Sequence, residues 1–166
     1  FAKLAVITAG LGKTAVNEQG NSSVFSDVNS DFWANGWINV AVAQQFLKGD
    51  GNDKFRPEDI ITQAEAITVL LRILGYNDNL PGIWPANYVA KAAQLGGLDN
   101  LMFLAYSPTT RAEAAVMISE SLDQVMVEYN SADSSFRNIF KKESELVPNG
   151  DSQKVILYTL LHVYSK

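Results

Sequence analysis

The sequence predicts an all-α fold of tandem helix–loop–helix repeats, and three observations carry that prediction. Trp33 to Leu47 aligns with Trp84 to Leu98 at an offset of 51, pairing Trp33 with Trp84, Trp37 with Tyr88, Ile38 with Val89 and Ala41 with Ala92. Ile61-Thr62-Gln63-Ala64-Glu65-Ala66 aligns with Thr109-Thr110-Arg111-Ala112-Glu113-Ala114 at an offset of 48, so the second copy has lost three residues in its loop. Phe1 to Gly10 aligns with Ala66 to Gly75, a partial copy that begins just after the place of such a tetrad. Self-similarity at a fixed period of about 50 residues is the signature of stacked supersecondary units.

The elements follow in order. Residues 1–12 read as the second helix of a partial repeat and 13–23 as a linker. In the repeat over 24–76, a first helix is expected from about Ala34 to Leu47, with Trp37, Ile38, Ala41 and Val42 at helical spacing. Gly49-Asp50-Gly51-Asn52 is turn chemistry, and Pro57 keeps Arg56 extended. The second helix starts behind Thr62, with Glu65 three positions on as a capping box, and stops at Gly75. The repeat over 77–126 repeats the plan, with Pro85 at a helix start, a Thr110/Glu113 box and a helix to about Val125. Residues 127–166 do not match the repeat: Ser134 to Glu145 reads as weakly helical, and Pro148-Asn149-Gly150 as a turn. Asp151 or Ser152 then caps a final helix through Tyr164, for which a buried strand is the alternative.

Composition removes whole classes of function. The 166 residues are 47% hydrophobic and 19% charged, enough to bury a core. Eighteen acidic residues against 13 basic ones give a net charge of −5, which argues against phosphate neutralisation on nucleic acid and against a polybasic membrane surface. With no cysteine, disulfides, thiolate metal sites and cysteine nucleophiles are excluded. The apolar run Val155 to Tyr164 is too short to span a bilayer. No signal peptide is read, and the Phe-Ala-Lys-Leu start points to a processed or incomplete chain. The carboxylates stand in no motif with a base, a nucleophile or a metal set, and there is one histidine, His162, so no enzyme, metal or cofactor is expected. Asp50-Gly51-Asn52-Asp53 lacks the distal glutamate of a calcium loop. Asn21-Ser22-Ser23 is a glycosylation sequon, which has no meaning if the source is bacterial.

Val24-Phe25-Ser26-Asp27-Val28, Phe32-Trp33-Ala34, Lys48-Gly49-Asp50-Gly51, Phe55-Arg56-Pro57 and Ile61-Thr62-Gln63-Ala64-Glu65, in that order and spacing, resemble an S-layer homology (SLH) domain. The resemblance covers about residues 1–126. It implies SLH-like repeats packed around a pseudo-threefold axis, with grooves that hold a pyruvylated secondary cell-wall polysaccharide and anchor the protein to the bacterial wall. It also implies that Arg111 and Asp27 line such a groove, with Trp33, Lys48 and Gly49 at its wall. The chemistry is consistent, because a pyruvate ketal carries a carboxylate that an arginine grips bidentately.

Each residue also has a plainer role. Thr62, Glu65, Thr110 and Glu113 are caps, Asp27 suits a turn or N-cap acceptor, and packing is the default for Trp33 and Trp37. Arg111 has no capping duty and is the sharpest functional residue. The central repeat has Gln63 in place of the family's arginine, an amide that bonds sugar hydroxyls but neutralises no carboxylate. The last repeat has Asn79-Leu80-Pro81-Gly82 in place of a Phe-x-Asp-Val segment. One groove is expected to survive. The alternative is a structural subunit of a self-assembling surface layer or filament, a homo-oligomer built through the apolar face of the first helix (Leu4, Ala5, Ile7, Ala9, Leu11) and the C-terminal segment.

Overall fold

The computed structural model describes residues 1–139, which fall into two compact units, residues 1–60 and 61–139. Among them are six helices and one two-stranded sheet. The protein is thus mostly helical, and the all-α expectation is corrected by a hairpin near residue 130.

In the first unit, α1 (Ala2–Thr8) and α2 (Gly12–Asn17) both pack on α3 (Asn35–Ala43). The core is Ala2, Val6, Ala15, Val28, Ala34, Ile38, Val40 and Ala41, with Phe25, Trp37 and Phe55 packed at its edge. Of the α1 face expected to need another subunit, Ala5 is buried, Ile7, Ala9 and Leu11 are half-buried and Leu4 is exposed, while Ala2 and Val6 are buried beside Ala5. Helix α2 stands in the stretch read as a linker. Its Ala15 carbonyl lies so close to Gly36 that a Cβ there would come within 2.1 Å of the oxygen. Gln19 follows it and ties the stretch to α3, donating to the Phe32 carbonyl at 2.9 Å and accepting from the Gly36 N–H at 3.2 Å.

Helix α3 ends at Ala43, four residues before the expected end. Gln45 turns left-handed (φ 60), and the N–H groups of Gln45 and Phe46 return to the carbonyls of Val42 and Ala41 at 2.9 Å each. That is a Schellman closure. Gly10, Gly75 and Gly96 close α1, α4 and α5 in the same way. The α3 end was hidden because glutamine carries no C-cap signal.

In the second unit, α4 (Gln63–Ile73) is flanked by α5 (Ala86–Gln94) and α6 (Arg111–Leu122). Both predicted capping boxes are formed, Thr62 with Glu65 and Thr110 with Glu113. The segments leading into them pair antiparallel, Thr62 opposite Pro108, with the Thr109 N–H on the Ile61 carbonyl at 2.9 Å. The first helix of this copy is preceded by a cis Trp84–Pro85 bond. Helix α1, which aligns with α4, packs on α3 as α4 packs on α5. The second helix of one copy therefore packs against the first helix of the next, and the unit boundary at Ile60 lies inside the 24–76 repeat.

Residues 127–130 (β1, Val127–Asn130) and 135–138 (β2, Ser135–Asn138) form an antiparallel hairpin with Tyr129 opposite Phe136. This corrects the helix expected from Ser134, as far as residue 139. Cross-strand aromatic pairing favours the strand: Phe136 sits 5.1 Å from both the Tyr129 and the Tyr76 rings. The Val127 N–H bonds the Leu74 carbonyl at 2.8 Å, docking the hairpin on the end of α4. The turn at Pro148, the final helix to Tyr164 and His162 lie outside the described residues.

Candidate functional site

The residues singled out in the sequence divide between the two units. Asp27, Trp33, Lys48 and Gly49 belong to the first, Gln63 and Arg111 to the second.

Asp27 is a framework acceptor. Its Oδ1 takes the Phe55 N–H at 2.9 Å and its Oδ2 the Arg56 N–H at 2.8 Å, so one carboxylate holds the stretch that follows the loop, where Arg56, expected to be extended, turns left-handed at φ 58. The Phe55 bond is the main reason its pKa lies below the ordinary aspartate value, with partial burial opposing and the Arg56 bond assisting. Gly49 is part of the same construction. A Cβ there would stand 2.3 Å from Phe25 Cε1 and 2.7 Å from the Lys54 carbonyl, and the Phe25 ring packs on Phe55 at 5.4 Å. Asp27 and Gly49 thus hold one loop from two sides. Lys48 beside it is exposed.

The two tryptophans part company. Trp37 packs at the core edge with the Lys3 ammonium 5.3 Å from its ring. Trp33, for which packing was the default, is 66% exposed and rests only its neighbour Phe32 against itself, at 5.8 Å. Its repeat mate Trp84 is 44% exposed, and its indole N–H donates to Thr68 Oγ1 at 3.0 Å. An exposed indole face is the surface on which a sugar ring stacks.

Gln63, expected at a groove, is buried. Its Oε1 accepts the Leu104 N–H at 2.8 Å and its Nε2 donates to Glu113 Oε1 at 2.9 Å. Glu113 Oε2 holds the Thr110 N–H and hydroxyl, both at 2.8 Å. Those two bonds, then the one from Gln63, put the Glu113 pKa below its ordinary value against a small effect of burial.

Arg111 opens α6 between these caps. It is exposed and makes no hydrogen bond or ion pair among the described residues. Arg56, which the sequence reading passed over as a ligand group, is also exposed. It is engaged by Asp59 at 3.1 Å and faces Asp50 at 3.9 Å. Of these two guanidiniums, Arg111 is the one with its donors open to an incoming carboxylate.

A second cluster escaped the sequence reading. Arg72 on α4 pairs with Asp78 at 3.0 Å, and the buried Tyr88 of α5 donates to the same carboxylate at 2.7 Å. Burial, and then Asp78, pushes the Tyr88 phenol up to about 12. The Arg72 pKa is raised: burial opposes its charge, but the bonds to Asp78 and Tyr88 outweigh that. This network joins α4 to α5 and leaves little for a ligand. Its members are 6 to 16 residues apart, and no motif marks them.

Among the described residues no helix is long and apolar enough to cross a membrane.

Comparison with known proteins supplies the context. The S-layer homology domain family matches residues 24–67. The chain is 31% identical over 146 residues to the middle cell wall protein of Brevibacillus brevis, covering 88% of this chain and 14% of that protein. It is 36% identical over 103 residues to the surface layer protein of Brevibacillus choshinensis, covering 60% of this chain and 9% of that one. A cellulosome-anchoring protein of Acetivibrio thermocellus is 29% identical over 96 residues, 48% of this chain and 22% of that protein. The chain therefore spans about a seventh or less of the first two relatives. No solved structure matches it. These matches place the chain at the bacterial cell wall or surface layer. Through residues 24–67 it belongs to the S-layer homology domain family.

Proposed function

We propose that this chain is a non-enzymatic anchor, which holds a surface protein on the bacterial wall by binding pyruvylated secondary cell-wall polysaccharide. The observation that carries the reading is Arg111, exposed at the first turn of a twelve-residue helix with no partner among the described residues. A guanidinium there grips a ketal carboxylate through two parallel N–H bonds, and the N-terminal end of α6 adds to the positive potential. Trp33 and Trp84 supply exposed aromatic faces for sugar rings. Asp27 and Gly49 serve the reading indirectly, by holding the loop on which Lys48 stands. The names of the relatives, two wall or surface-layer proteins and a cellulosome-anchoring protein, support attachment.

The test is calorimetric titration with the pyruvylated polymer. Micromolar binding, about −8 kcal/mol, is expected for the wild type, with at least a tenfold loss in Arg111→Ala. Equal affinity in both proteins sinks the reading.

A second reading is a subunit of a surface layer or filament, for which α1 offers less than the sequence suggests, since Ala5 is buried and Ile7, Ala9 and Leu11 are half-buried. It also has one further observation: Met102, Leu104 and Tyr106 face outward on the segment that leads into the turn at Leu104–Ser107, 57% to 85% exposed. Absence of heat in the titration, together with concentration-dependent sedimentation, would favour it.

A further inference from the structure

The two copies of one loop are held by different side chains. At the offset of 48, Arg56 corresponds to Leu104 and Asp59 to Ser107. Both pairs close the same turn, the Asp59 N–H on the Arg56 carbonyl at 3.1 Å and the Ser107 N–H on the Leu104 carbonyl at 2.8 Å. In the first copy the N–H of Arg56 is held by Asp27 at 2.8 Å. In the second copy the aspartate at the offset of 51 is Asp78, whose carboxylate takes Arg72 at 3.0 Å and the Tyr88 hydroxyl at 2.7 Å. There the N–H of Leu104 is held, at the same 2.8 Å, by Gln63 Oε1.

The other end of the carboxamide has a second task. Its Nε2 reaches Glu113, the residue that caps the first turn of α6 and lies two positions beyond Arg111. The orientation of the amide is unambiguous, because an acceptor must face the Leu104 N–H and a donor must face the carboxylate. Gln63 is 2% exposed. An arginine, with donors only, could meet Glu113 but would leave the Leu104 N–H without an acceptor. Glutamine at this position is therefore suited to a task that the tetrad's arginine cannot perform.

We propose that Gln63 is a positioning residue for Arg111. It takes over the loop-holding duty that Asp27 has in the first copy and locks the first turn of α6 to α4, which sets the direction in which the Arg111 side chain leaves the helix. The proposal rests on the carbohydrate reading above and deepens it. The central repeat gives up its own cation and steadies the next one.

Gln63→Met tests this, since it conserves volume and removes both polar ends. Wild type, Gln63→Met, Arg111→Ala and the double variant are titrated with pyruvylated polysaccharide and with the same polymer after its ketals are hydrolysed. Thermal unfolding and amide exchange are followed alongside. Gln63→Met is expected to stay folded, to exchange the Leu104 amide faster and to lose about tenfold on the pyruvylated polymer. It should lose almost nothing on the stripped polymer, and nothing further when Arg111 is already alanine.

Equal losses on both polymers, or losses that add to those of Arg111→Ala, overturn positioning in favour of general loosening. Wild-type affinity in Gln63→Met, or an unchanged Leu104 amide, overturns it while leaving the anchor reading intact. A wild type that does not distinguish the two polymers overturns both. If Gln63→Met does not fold, Gln63→Glu keeps an acceptor for Leu104, removes the donor toward Glu113 and is read by the same comparison.

Discussion

Asp27 shows how much a single carboxylate can organise when its partners are backbone N–H groups. Both oxygens are engaged, at 2.9 and 2.8 Å, and the folded pKa is lowered, chiefly by the Phe55 bond. A depressed folded pKa means that the unfolded chain takes up protons first, so stability rises with pH through that window. The contribution of Asp27 is complete above the ordinary aspartate range and is lost as the pH falls through it toward the lower folded value. Asp27→Ala should lower the melting temperature near neutral pH and flatten its acid dependence relative to wild type. An unchanged acid limb in thermal melts would refute that assignment. Gly75 is a second residue with no substitute: its φ is +98, and a Cβ would fall 1.7 Å from the Val127 carbonyl oxygen. Gly75→Ala should detach the hairpin, seen as loss of Val127 amide protection.

At the scale of elements, four of the described helices, α1, α3, α4 and α5, end by one device with different residues. Gly10, Gly75 and Gly96 take the left-handed position at no steric cost, whereas Gln45 takes it at φ 60 with a Cβ in the way. Gln45→Gly should stabilise the first unit by about 1 kcal/mol, the strain of that conformation, read as a higher melting temperature. At the other end of α6, Thr110 accepts the Glu113 N–H at 3.2 Å. Thr110→Ala should cost about 1 kcal/mol, and on the anchor reading it should also weaken the ligand, because Arg111 stands in the turn that Thr110 caps. A drop in melting temperature with unchanged affinity would show the cap to be structural alone.

For the molecule as a whole, charge and ligand are at odds. On the anchor reading a net charge of −5 would meet a polymer whose ketals are themselves anionic, so long-range forces would repel and only local contacts attract. Screening reaches about 8 Å at physiological salt. It should weaken the repulsion along the approach more than the close pairing at Arg111. The association rate is expected to rise with salt between low and physiological ionic strength, measurable by surface-immobilised polymer. A rate that falls steeply with salt would indicate a basic surface that this chain lacks. The same acidity argues that wall attachment here is a matter of shape and one guanidinium rather than of bulk charge.

What the amino-acid sequence determined by itself is what closes over short distances. The two capping boxes and the Gly75 helix stop depend on groups within about four residues of each other, and each is found where the pattern put it. The exposure of Arg111 was legible too, because a residue between two caps has no local partner. What only the tertiary structure decided involves partners far along the chain: Asp27 with Phe55, 28 residues away; Gln63 with Leu104, 41 away; Gln63 with Glu113, 50 away. Gln63 looks in sequence like a weakened ligand group and in the fold is a buried tie. Trp33 and Trp37 share one helical pattern, yet one faces solvent and the other the core. The hairpin carried no repeat signal and follows from Phe136 meeting Tyr76 on another element. Local patterns encode which backbone groups need a partner. Which side chain supplies a distant one is settled only when the helices pack.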